Sequence, residues 1–184
     1  MKKIILFILT LSLIVGAIPF SLATYAVASG TCGENLTWTL DKEGTLNIRG
    51  NGNMEDYNHG MSPWSRNENI KTVIIDEGVT SIGDFAFMYC TALIDITIPE
   101  KVTTIGKSAF LLCTTLISVR IPGSVSSIGT GAFAGCSSLK SAVLDSNMQI
   151  YNDLKTIPNA IFYQCTSLTQ VKLPYGLEMI GLKA

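Results

Sequence analysis

The segments IKTVIIDEGVTSIGDFAFMYCTA (70–92), LIDITIPEKVTTIGKSAFLLCTT (93–115) and LISVRIPGSVSSIGTGAFAGCSS (116–138) are one phrase of 23 residues written three times without a gap. Phe87, Phe110 and Phe133 fall in register, as do Cys90, Cys113 and Cys136. In the middle copy, Leu93, Ile96 and Ile98 follow an L-x-x-L-x-L pattern. The alternate positions Asp95 and Thr97 point the other way, as the period-2 geometry of a strand requires. Pro99 ends the strand because it has no N–H for a ladder. Val102 and Ile105 add two more inward groups. Gly106 turns the chain, and Ala109, Phe110 and Cys113 close the unit through an expected short helical or 3₁₀ segment.

One copy cannot bury so many apolar positions against itself. Copies stacked on one another can, which is why such units come in runs of three or more. A period in the 20–29 range with that core pattern predicts a leucine-rich-repeat solenoid, mostly β.

The pattern extends downstream with changes. A fourth unit opens at Leu139, with Leu154-Lys155-Thr156-Ile157-Pro158 aligned to Val125–Gly129 and with Phe162 and Cys165 in register. Nine residues, Asp145–Asp153, replace three just after its strand. Insertions that spare core positions belong in surface loops, and such loops often carry binding. A fifth unit opens at Leu168 and reaches Ala184, the counterpart of Ala109. The expectation is an uncapped C-terminus and an incomplete fifth repeat. A competing reading follows from it: a fragment of a larger surface protein whose further C-terminal part carries the function, as an enzyme or a wall anchor.

Upstream, residues 36–50 read as a hairpin. Leu36, Trp38 and Leu40 alternate with threonines, Asp41-Lys42-Glu43-Gly44 makes the turn, and Leu46 and Ile48 alternate with polar residues. Trp38 is read as part of the apolar face that covers the first repeat, since a terminal coil otherwise exposes its core edge. Residues 51–69, rich in Gly and Asn and containing Pro63-Trp64, are expected to be turns. The sole histidine, His59, lies in this loop without neighbours at metal-ligand spacing.

The first residues carry a different signal. Lys2 and Lys3 precede an apolar run from Ile4 to about Ala17, Pro19 breaks it, and Ala26-Val27-Ala28 offers a small-residue cleavage site before Ser29. This reads as a signal peptide over residues 1–28. The run falls short of the roughly 20 residues that span a bilayer. The expected division is therefore 1–28 signal peptide, 29–69 N-terminal capping hairpin and loop, and 70–184 repeats. Without Lys2 and Lys3 the chain carries 11 basic and 14 acidic residues, a net charge of −3. Such a balance without basic clusters gives no electrostatic case for nucleic acid or anionic lipid. Contact with a membrane is expected only during export.

The phrase A-F-x-x-C-x-x-L-x-x-I-x-I-P-x-x-V-x-x-I-G closely resembles the BspA-type leucine-rich repeats of bacterial surface proteins, also found in some protozoa. Ala109-Phe110, Cys113, Leu116, Val119, Ile121-Pro122, Val125 and Ile128-Gly129 match it position by position. The stretch from Ser29 to Asp41 and Ser62-Pro63-Trp64 resemble the lead-in that often precedes these repeats. The resemblance covers roughly residues 30–184. It implies a secreted or cell-surface protein that binds proteins or other cell-surface ligands and serves adhesion. It brings no shared catalytic residues and no cofactor.

Cys90, Cys113, Cys136 and Cys165 hold one repeat position and Cys32 stands apart. Stacked coils would bring the four within bridging distance. Side chains in a ladder point the same way, however, so these are read as buried core thiols. Cys32 is left as free or paired elsewhere.

The outward strand positions form two columns: Thr72, Asp95, Ser118, Ser141 and Gln170, and Ile74, Thr97, Arg120, Val143 and Lys172. At about 4.8 Å per strand these columns span about 19 Å. They are the candidate protein-binding residues, with Ile74 and Val143 as apolar anchors and Arg120 and Lys172 as cationic ones. Catalysis is not expected. Asp56, Asp76, Glu77 and Asp84 are the acids closest together and read as solvated turn residues. No G-x-S-x-G, phosphate loop or H-E-x-x-H occurs.

Overall fold

The structure, a computed structural model, describes residues 26–145 and 155–184. The expected signal segment up to residue 25 and most of the inserted loop (146–154) lie outside the described residues. Fourteen short strands follow one another: β1 (Ala26–Gly33), β2 (Leu36–Asp41), β3 (Thr45–Gly50), β4 (Gly52–Asn53), β5 (Thr72–Ile75), β6 (Val79–Ile82) and β7 (Asp95–Ile96), then β8 (Thr104–Ile105), β9 (Ser118–Ile121), β10 (Ser127–Ile128), β11 (Ser141–Leu144), β12 (Thr156–Ile157), β13 (Gln170–Lys172) and β14 (Met179–Ile180). They stack as a β-solenoid. One side of each coil contributes to the ladder β1-β2-β3-β5-β7 or to β9-β11-β13, and the next side contributes to β4-β6-β8-β10 or β12-β14. Every strand pair between coils is parallel, and only β1-β2 and β2-β3 are antiparallel.

The period of 23 becomes a set of interior rows. Phe87, Phe110, Phe133 and Phe162 stack with centroid separations of 5.2, 4.9 and 6.0 Å and interplanar angles of 11, 4 and 28°. The cysteines form the adjacent row. The thiols of Cys113, Cys136 and Cys165 donate to the carbonyls of Phe87, Phe110 and Phe133, each at 3.2 Å. All five cysteines are buried free thiols. Burial pushes the Cys90 thiol up to about 12 from its ordinary value of 9.0.

The Phe row begins earlier than the quoted repeats. Trp64 stands 23 residues before Phe87, stacks on it at 5.7 Å, and donates its indole N–H to Ala86 O at 2.8 Å. Asn67 falls at the cysteine position and Ile70 at the opening leucine, where it is fully buried. The segment expected to be only turns thus completes an irregular coil that begins with β3 and β4. The capping hairpin is present as β2 and β3, with Trp38 opposite Ile48. Two features add to it. β1 pairs along β2, and β3 continues in parallel into β5, so cap and repeats share one sheet. Trp38 packs edge-on against Trp64 at 5.5 Å and covers the start of the aromatic row. Ala26–Ala28, the expected cleavage motif, lie at the exposed start of β1.

The turn side corrects one expectation. No helix or 3₁₀ segment occurs among the described residues, and each coil closes through consecutive turns. Two residues four apart take positive φ in every full coil: Phe85 and Tyr89, Ser108 and Leu112, Gly131 and Gly135, Ala160 and Gln164. A left-handed residue interrupts the helical i→i−4 ladder. Alternate amides then point along the solenoid axis. Phe85, Phe87 and Tyr89 donate to Lys107, Ala109 and Leu111 in the next coil, at 2.9, 2.7 and 3.0 Å. The intervening Ala86, Met88 and Cys90 close tight turns within their own coil. Cross-coil bonds take the amides a helix would need.

Gly106 and Gly129 also hold a different role from the expected turn. Their φ is not positive, but a Cβ at either would sit within hard contact of backbone in the preceding coil. Coils approach too closely there for any other residue.

Candidate functional site

The register decides how the ten candidate residues are arranged. Thr72 pairs with Asp95, while Ser118 pairs with Ser141 and Ser141 with Gln170. Arg120 pairs with Val143 and Val143 with Lys172. Thr72, Ile74, Asp95, Thr97, Ser118, Arg120, Gln170 and Lys172 are exposed, and Ser141 and Val143 are half-buried. Both columns start one strand earlier than the sequence suggests, because Thr45 pairs with Thr72 and Asn47 with Ile74. These two were missed because β3 was assigned to the cap.

The columns do not form one continuous sheet. The ladder runs from β1 to β7, stops, and resumes at β9. The residue that closes each strand varies with the extent of pairing. Asp76 N donates to Ile48 O at 3.0 Å, and Asp145 N donates to Ile121 O at 2.9 Å. At the same position the second, third and fifth repeats carry Pro99, Pro122 and Pro174, which have no N–H to give. Four residue pairs join β3 to β5 and β9 to β11, where Asp closes the strand; where Pro closes it, three join β11 to β13, two join β5 to β7, and none joins β7 to β9.

At that breach lies a cavity of about 180 Å³, lined by Asp95, Ile96, Thr97, Ile98, Ser118 and Arg120. Four of the ten candidates therefore come together around one concavity, and the other six lie on the flat sheet to either side. The Arg120 guanidinium is held between two carboxylates: Nη1 contacts Glu100 Oε1 at 2.7 Å and Nη2 contacts Asp145 Oδ2. The hydrogen bond that Arg120 donates to Glu100 and the charge of Asp145 hold the guanidinium above its ordinary range. Arg120 is thus an anchored cation rather than a free one. Glu100 sits on no strand column and gave no signal in the sequence, and Asp145 entered only as the first residue of the inserted loop. No charged partner contacts Asp95 among the described residues.

Three of the four acids weighed for catalysis have structural engagements. Asp56 Oδ1 accepts the Asp84 amide at 2.8 Å, and Asp84 Oδ1 accepts the Lys107 amide at 2.6 Å, each tying one coil to the next. Asp76 Oδ2 accepts the Gly50 amide at 3.2 Å. His59 is exposed beside the rings of Phe85 and Tyr89, 5.9 and 5.7 Å away. Among the described residues no group of three His, Cys, Asp or Glu is placed to hold a metal.

The coordinates resemble those of a leucine rich cell surface protein from Faecalibacterium prausnitzii A2-165, with a TM-score of 0.56 and 24% identity over 86% of this chain and 46% of that one. A leucine-rich repeat protein from Eubacterium ventriosum gives 0.47 and 20% over 84% and 62%, and one from T. pallidum gives 0.48 and 21% over 82% and 85%. This chain therefore spans about half the length of the first and under two thirds of the second. No curated protein gives a significant match. The profile described as "BspA type Leucine rich repeat region (6 copies)" matches residues 64–153 and 146–184, and its first match opens on Trp64, the residue that begins the aromatic row. The chain belongs to the BspA-type leucine-rich-repeat family.

Proposed function

We propose that this protein is a secreted or cell-surface binding module that engages a protein or cell-surface ligand through its sheet face, serves adhesion, and makes or breaks no bonds itself. The observation that carries the reading is the register of the outward columns. On either side of the breach, Thr45, Thr72 and Asp95 align, as do Ser118, Ser141 and Gln170; Asn47 aligns with Ile74, and Arg120 with Val143 and Lys172, over a core buried in the inner coils, giving two ordered stretches of regularly spaced groups. A surface already ordered before contact loses little conformational entropy on binding. Ile74 is 50% exposed, an apolar contact point among hydroxyls. The name of the F. prausnitzii protein, a cell surface protein, and the apolar N-terminal run support an exported chain.

The test is affinity capture from cell-surface extracts with the wild-type chain, an Ile74→Glu/Val143→Glu variant, and a Lys107→Glu variant on the turn side. Capture of discrete species that survives Lys107→Glu and disappears with the double variant supports the reading. Equal capture by all three, or none above an inert protein, refutes it.

A further inference from the structure

We propose that the breach between β7 and β9 receives the basic side chain, lysine or arginine, of a bound protein partner. This inference rests on the sheet face being the binding face.

Size selects the class of guest. A cavity of about 180 Å³ lies below the roughly 300–1,000 Å³ of small-molecule sites. At ~30 Å³ per water it holds about six waters. It suits the head of one side chain delivered by a larger partner. Charge selects the kind of side chain. Among the described residues, the lining and the two carboxylates on Arg120 carry Asp95, Glu100 and Asp145 against Arg120, a net of −2. Arg120 already spends both terminal nitrogens on carboxylates, so it offers no free cation to an acidic guest. Asp95 has no such partner among the described residues. Thr97 and Ser118 add hydroxyl acceptors, and Ile96 and Ile98 form apolar walls for a methylene stem. A carboxylate meeting an ammonium or guanidinium at a partly enclosed site makes a charge-assisted hydrogen bond, stronger than a neutral one.

The experiment is a titration of the ¹⁵N-labelled chain with N-acetyl-arginine amide and N-acetyl-lysine amide, with N-acetyl-glutamate amide as the control. The expected result is shift changes confined to Asp95–Ile98 and Ser118–Arg120 with the basic probes and absent with the glutamate probe. Asp95→Asn keeps the side chain's shape and raises the apparent Kd by about tenfold, the loss of one charge-assisted bond. Arg120→Gln takes the local charge from −2 to −3 and tightens binding, whereas a purely structural role for Arg120 would weaken it. Unchanged spectral dispersion and melting temperature confirm that both variants fold. Absent or scattered shifts, equal shifts with the glutamate probe, or indifference to both variants overturns the inference. If capture by the sheet face holds while the titration is null, only the basic-guest inference falls. If both are null, both fall.

Discussion

Phe110 lies between Phe87 and Phe133, fully buried, with ring centroids 5.2 and 4.9 Å away. A ring in the middle of a row has packed neighbours in both directions, so truncation leaves a cavity that cannot collapse from either side. Phe110→Ala is expected to cost about 3–5 kcal/mol, measured by urea unfolding. Phe162, whose ring stacks on only one other ring and faces the open cavity, should cost less. Gly129 makes a different kind of demand. A Cβ there collides with the Lys107 backbone, so Gly129→Ala is expected to cost about 1–3 kcal/mol through overpacking, although the residue is on a turn and its φ is ordinary. The thiols set a pH limit. Burial raises Cys90 from 9.0 to about 12 and Cys32 to about 11. A folded-state value above the unfolded one means that the unfolded chain gives up its proton first. That contribution is fully present below pH 9 and is lost as pH rises toward 12. The melting temperature should therefore be flat with respect to the thiols below pH 9 and fall above it. Cys→Ser variants at Cys90 and Cys32 should flatten that fall.

At the scale of the strand, pairing is fullest where Asp closes the strand and shorter or absent where Pro does. Asp76 and Asp145 close their strands with a cross-coil bond, and Pro99, Pro122 and Pro174 cannot. Pro122→Asp restores the N–H opposite Ile98 O. The expected outcome is a newly protected amide at position 122 in hydrogen exchange, and loss of the arginine-probe response as the breach narrows. An unprotected amide there would show that something other than the missing donor keeps β7 and β9 apart. The turn side follows the same logic of donors. Paired left-handed residues send alternate amides to the next coil, so turns replace the helical segment that spacing alone suggests.

Across the whole molecule, stability should grade along the axis. Each interior coil is held by two neighbours, and in a repeat array stability is roughly a sum of such nearest-neighbour terms. Val171, Leu173, Ile180 and Ala184 line the open cavity of about 370 Å³ at the end of the last coil, with Phe162 and Cys165 beneath it. Met179 and Ile180 are 62% and 60% exposed, in contrast to Ile105 and Ile128 of the inner coils. In residues 1–184 expressed alone, amides of 170–184 are expected to exchange fastest among the repeats and those of 93–139 slowest. Uniform exchange would contradict the nearest-neighbour picture. At the other end, Trp38 and Trp64 cover the first Phe, so in residues 1–184 expressed alone fraying should begin at the C-terminal coil.

The 23-residue period by itself determined the solenoid, the buried Phe and Cys rows and the outward columns, because a repeated spacing of apolar side chains admits one way of stacking. The same period, carried back once more, reaches Trp64 and Asn67. Their coil was nevertheless hidden, because a long lead-in breaks the register and two residue types change. Tertiary structure alone decided where the ladder stops and what Arg120 touches. Whether β7 and β9 pair depends on donors contributed by different coils, and Glu100 and Asp145 reach Arg120 from turns that no strand pattern places. Periodicity reports which side chains share a face; it does not report which hydrogen bonds are left unmade between neighbours, and the cavity lies where β7 and β9 share no ladder.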